Sequence, residues 1–301
     1  NPADIVNATR RDPLDFFDQR GGVPLVKLHV PIESLGWNVI LLGLMDEAQT
    51  VEGMGGAARL EMVFSTVEMG LSATARNHRD VLTALDFSAG VWDLDITGEV
   101  GFTALTHSRN LRPGVLHDDL HVQASLGLSY GVRYGDEDTL YIGGEYFFNP
   151  DLWTDRRDYP AAMFGGSETL AGIAGVDTLT AGAPIAGGAP YRPFYLGRHY
   201  GAIFLALPGP GSWDDVSFTA TGMGNFTDMS FIARLDASVT VLTYLTVQAY
   251  VQAHLGRKGG EFRFGFDDLS ITDPGTGTEL TLPLAYPYQL VDAGVNLRVN
   301  F

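Results

Sequence analysis

Apolar and polar residues alternate along most of this chain, in segments of strand length rather than at helical spacing. In 93–104 Asp93, Asp95, Thr97 and Glu99 are polar, while Leu94, Ile96, Val100 and Phe102 are apolar. In 119–133 His121, Gln123, Ser125, Ser129 and Arg133 take turns with Leu120, Val122, Ala124, Leu126 and Leu128. In 243–255 Thr246, Gln248, Gln252 and His254 do the same with Leu245, Val247, Ala249, Val251 and Ala253. A period of two sends successive side chains to opposite faces, so each segment has one oily and one wet face. The pattern predicts twelve strands, at about 37–46, 57–64, 67–76, 81–90, 93–104, 119–133, 138–148, 195–207, 216–225, 229–240, 243–255 and 286–301.

The final segment is the most regular: from Val291 the alternation runs unbroken to Phe301. A last strand ending on an aromatic residue resembles the terminal strand of Gram-negative outer-membrane β-barrels. The resemblance implies an all-β fold, a transmembrane antiparallel up-and-down β-barrel, in the bacterial outer membrane with both termini periplasmic. It implies a periplasmic tail over 1–23, a single barrel over 24–301, and a chain in its processed form. It further implies that Val295, Leu297, Val299 and Phe301 carry the signal read by the barrel-assembly machinery, and that outer-membrane lipid and lipopolysaccharide surround the protein. No characterised family matches residue by residue.

A soluble sandwich also alternates, so connection lengths must separate the two architectures. Outer-membrane barrels have short periplasmic turns and longer outer loops. Twelve strands put the links near 65–66, 91–92, 134–137, 208–215 and 241–242 on the inner side. The longer stretches 47–56, 105–118, 149–194 and 256–285 then fall outside, with short links at 77–80 and 226–228. Trp37, Trp92 and Trp213 land at inner strand ends and Trp153 just beyond an outer one, as suits a ring that favours the membrane–water interface. Two further segments alternate: Leu25 to Val30, and Phe262, Phe264 and Phe266. Counting both gives fourteen strands, the alternative, but moves 149–194 to the periplasmic side; twelve is preferred for that reason. The Phe segment then extends a hairpin above the bilayer, and Leu25 to Val30 leads into the first strand.

Composition narrows the function. No apolar run approaches the roughly 18 residues a membrane helix needs; Val39 to Met45 is far too short. Mean hydropathy is close to zero, which suits a barrel strand whose alternate residues face a lumen. Cysteine is absent, which removes disulfides and thiolate metal sites. The formal net charge of −17 argues against nucleic acid as a partner, since such binding rests on basic residues neutralising phosphates.

Chemistry is expected on the wet face. The register sends Arg59, Glu61, Glu68, Arg76, Asp86, Asp93, Asp95, Glu99, Arg133, Glu145, Arg234, Asp236, Asp292 and Arg298 into the lumen, nine acids against five arginines. Twelve strands lie between barrels filled by side chains and barrels with an aqueous channel. The 149–194 loop, with its apolar Leu170 to Val176 behind Ser167 and Glu168, either tucks into the mouth and constricts it or packs as a lid on neighbouring loops. The expected function is a porin-like channel for passive diffusion of small polar solutes, mildly cation-preferring. The alternatives are a closed structural barrel or subunit of a larger envelope assembly, and an outer-rim hydrolase.

For the hydrolase, Asn77-His78-Arg79-Asp80, His107 and His117-Asp118-Asp119 would supply a water-activating Asp/His pair. Exposed loops collect such residues anyway, so no catalytic residue is assigned. Asp267, Asp268, Asp273 and Glu279 offer oxygen ligands but match no EF-hand spacing, and no phosphate-binding glycine motif occurs. No metal and no cofactor are expected. The cluster Tyr195-Leu196-Gly197-Arg198-His199-Tyr200 is read as an interfacial anchor.

Overall fold

A computed structural model describes residues 24–45, 54–76, 81–104, 119–134, 138–159, 196–241, 244–272, 279–283 and 285–299. The tail 1–23 and most of the 149–194 loop lie outside them. Thirteen strands form one antiparallel sheet: β1 (Leu25–Ile32), β2 (Trp37–Leu44), β3 (Gly55–Phe64), β4 (Val67–Arg76), β5 (Val81–Val91), β6 (Leu94–Ala104), β7 (His121–Tyr134), β8 (Asp138–Phe148), β9 (His199–Pro208), β10 (Val216–Asn225), β11 (Ser230–Val241), β12 (Leu245–Gly256) and β15 (Val291–Val299). Each pairs with its neighbour in chain order except β12, which pairs with β15. The hairpin of β13 (Leu269–Thr272) and β14 (Glu279–Leu282) stands apart as a two-stranded sheet. Among the described residues helix is confined to two 3-10 turns, Arg156–Asp158 and Glu261–Arg263. No described helix is long and apolar enough to cross a membrane, which says nothing of spanning strands.

Among the described residues the main sheet has thirteen strands, neither the twelve nor the fourteen expected. The segment Leu25 to Val30, expected as a lead-in, is a full strand because a tight turn lets it pair with β2 over eight residues, from Leu25↔Leu44 to Ile32↔Trp37. Leu35 N–H donates to Ile32 O at 3.0 Å, and Gly36 supplies the positive φ of +68° that such a turn demands. The Phe segment is not a strand: Phe262, Phe264 and Phe266 pack inward from a 3-10 turn and the loop beyond it. Within the described residues β1 and β15 are the edges of the sheet.

Residue contacts divide the chain into two units, one holding β1–β6, the start of β7 and Phe147–Asp151, the other Leu128–Tyr146 and Leu152 onward. In each, burial is inverted relative to a water-soluble sheet. In the first, Ser72, Thr74 and Ala84 are buried, whereas Leu71 and Leu85 on the opposite face are exposed. In the second, Arg234 is 8% exposed and its chain neighbour Leu235 59%; Gln252 is 8% exposed and Val251 47%. The polar face is the covered one. The apolar face, with Ile203, Leu205, Leu235, Val251, Val295 and Leu297, lies open.

Candidate functional site: the polar face and its covered end

In the first unit, where Arg76 ends β4, Arg59, Glu61, Glu68, Asp86, Asp95 and Glu99 share one face. The registers Glu61↔Gly70, Gly70↔Asp86 and Asp86↔Glu99 fix this. Arg59 donates from Nε to Glu61 at 3.0 Å, from Nη1 to Ser72 at 2.8 Å, and from Nη1 and Nη2 to the two oxygens of Asp86 at 2.7 and 2.8 Å. Asp86 sits two strands away. The guanidinium reaches it by lying over Gly70, where a Cβ would overlap both the arginine and the carboxylate. A bidentate arginine–carboxylate pair is the strongest geometry available to these groups. Asp93 occupies a turn, not a strand.

The second unit repeats the arrangement with different parts. Arg234 binds Asp236 on its own strand at 2.8 Å, Gln248 Nε2 donates to Asp236 at 2.8 Å, and Asn296 Nδ2 donates to Gln248 Oε1 at 3.3 Å. The Arg234 guanidinium stacks 4.1 Å from the centre of the Tyr250 ring. Asp292 and Arg298 share this face through the registers Gln252↔Asp292 and Thr246↔Arg298. Glu145 follows Gly143, whose missing Cβ leaves room for Phe204 of the same face.

The loop-bearing end of the second unit is closed over by chain. Leu152, Trp153, Tyr159, Leu196, Phe262, Phe264 and Phe266 are all buried there. The same end holds a polar network that sequence reasoning missed. Glu261, 1% exposed, accepts from Tyr200 OH, from Asn225 Nδ2 at 2.9 Å and from Leu196 N at 3.3 Å. Asp228, also buried, accepts from Glu261 N and Asn225 Nδ2 at 2.9 Å and from Ser230 N at 2.8 Å. Ser230 Oγ accepts from Phe262 N at 3.0 Å. Burial, with the negative charge of Asp228 adding to it, pushes the Glu261 carboxyl up to about 7. Burial likewise pushes the Tyr159 hydroxyl well above its ordinary range.

His254 ties this end to the last strand. Its Nδ1 donates to Phe262 O, and its Nε2 lies 2.6 Å from Asp292 Oδ2 and 3.1 Å from the Gln252 amide. The aromatic and basic cluster expected as an anchor belongs to the same closure. Arg198 N and His199 N both donate to Thr227 Oγ1, Arg198 Nε donates to Leu152 O, and Tyr200 is buried; Tyr195 lies outside the described residues. The signal for Glu261 was present as Lys258-Gly259-Gly260-Glu261-Phe262, an acid set between paired glycines and alternating phenylalanines.

The rim residues His78, Asp80, His107, His117 and Asp118 lie outside the described residues, and Asp119 is exposed. A different histidine finds an acid there: His121, 3% exposed, lies with Nδ1 3.0 Å from Asp151 Oδ2, while its buried Nε2 makes no hydrogen bond. Among the described residues no three acids or histidines gather as metal ligands. No family model matches the chain, and no curated protein does either.

Proposed function

We propose that this chain is an outer-membrane β-barrel, its sheet rolled so that the apolar face meets lipid and the polar face lines a lumen. In this reading the barrel is a porin-like channel for small polar solutes with a mild cation preference. The single observation that carries it is the inverted burial. Open leucines and valines flank covered arginines and glutamines on the same strands, which suits hydrocarbon outside and opposes water. A depression of about 570 Å³ on the apolar face, lined by Leu205, Leu207, Phe218, Leu235, Ala249 and Val251, offers volume to acyl chains. Val295, Leu297 and Val299 lie on the apolar face of β15, where the assembly machinery would read them; Phe301 lies outside the described residues. Arg59 and Arg234 are held by carboxylates, and the eight acids that stand on strands, Asp93 being in a turn, outnumber the five arginines and favour cations.

Reversal potential under a KCl gradient in planar bilayers is the test. A potential of cation-selective sign is expected; anion preference would refute the reading. A closed barrel serving as an anchor or envelope subunit is the second reading, favoured by the chain that covers the polar face at one end. It predicts absent conductance and a partner recovered stoichiometrically in gentle detergent.

A further inference from the structure

The connection that leaves β12 turns back over the polar face of its own sheet and is fastened there through Glu261 and His254. Glu261 is met by Tyr159 from the 3-10 turn before it in the chain, Tyr200 from β9, Asn225 from β10, Asp228 from the β10–β11 link, and the backbone of Leu196. His254 of β12 holds the next peptide through Phe262 O, with Asp292 of β15 and Gln252 at its other nitrogen and Ile232 of β11 opposite it in register. A proton on Glu261 removes a buried negative charge beside Asp228 and so fastens the turn. Gly256 and Gly259, at φ of +86° and +76°, stand at its root as backbone joints.

We propose that Arg257 to Phe266 is an acid-closed gate, which covers the polar face when Glu261 is protonated and lifts from it as Glu261 loses its proton. This rests on the channel reading and adds to it a regulated obstruction. Docking takes up a proton on Glu261, so the closed state gains as pH falls and the open state gains as pH rises.

Single-channel recording on the full chain between pH 5 and 8.5 tests it, alongside Glu261→Gln and a variant with 257–266 replaced by a glycine–serine linker of equal length. The open-to-closed ratio is expected to rise about tenfold per pH unit up to about 7 and then level off. Glu261→Gln is expected to lose that rise and stay mostly shut, and the linker variant to stay open throughout. Amide exchange of 257–266 in the unmutated chain, corrected for the intrinsic pH dependence, is expected to quicken above pH 7 whatever the variants do. Conductance that ignores both pH and the linker overturns the gate and leaves the channel standing. A wild-type pH profile in Glu261→Gln overturns the assignment to that residue. Silence even from the linker variant overturns the channel reading, and the gate with it.

Discussion

At the scale of residues, the covered end makes stability depend on pH with a definite sign. The folded chain holds Glu261 protonated up to about pH 7, whereas the unfolded chain gives that proton up in the ordinary carboxylate range. Stability contributed by the neutral acid is complete below that range, falls as pH rises to about 7, and is constant above it. Thermal unfolding in detergent at pH 5 and pH 8 should show the lower midpoint at pH 8, with Glu261→Gln removing most of the difference; a higher midpoint at pH 8 would contradict the geometry. Gly256 is the second sensitive residue. Its positive φ and the closeness of Met229 O leave no place for a Cβ, so Gly256→Ala should cost about 2–3 kcal/mol in urea unfolding. Little of this was legible in the sequence. Asp228 and Glu261 lie in links between strands, where alternation says nothing about which way a side chain points, and their partners come from four separate segments.

At the scale of elements, alternation named the strands well because the period-two signal follows directly from which face each side chain enters. It placed Arg59, Glu61, Asp86 and Glu99 on one face and Arg234, Asp236, Asp292 and Arg298 on one face, as the registers have them. It failed where the count was decided by the side on which the 149–194 loop should fall instead of by residues. Val26, Leu28 and Val30 alternate as cleanly as any strand, and the turn at Gly36 was readable beside them. Phe262, Phe264 and Phe266 alternate too, but they point into a cluster closed by Tyr200 and Tyr286 rather than onto a sheet face. The faces themselves are testable. If the apolar face meets lipid as proposed, Leu235→Arg should destabilise the protein in liposomes by about 2–4 kcal/mol. The same change at Ser238, on the polar face, should leave unfolding nearly unchanged; equal costs would remove the distinction between the faces.

At the scale of the whole molecule, composition and strand pattern pointed to an environment more clearly than to a task. A chain that exposes leucines and valines along strand after strand should stay in solution only with detergent or lipid, its net charge of −17 notwithstanding. A rolled and closed sheet should migrate on a gel at one mobility unheated and at another after boiling; identical mobilities would speak against closure. The solute was not legible, because polar-face charges that neutralise one another leave only their surplus to read. The Arg59–Asp86 pair joins β3 to β5 across the bare backbone of Gly70, so no two-stranded hairpin can contain it. Had β3 slid by two residues against β4, Ser72 or Glu68 would stand where Gly70 does and bar the way. The bond forms only after three strands have met in one alignment, which makes it a seal set on correct assembly rather than a contact that guides it.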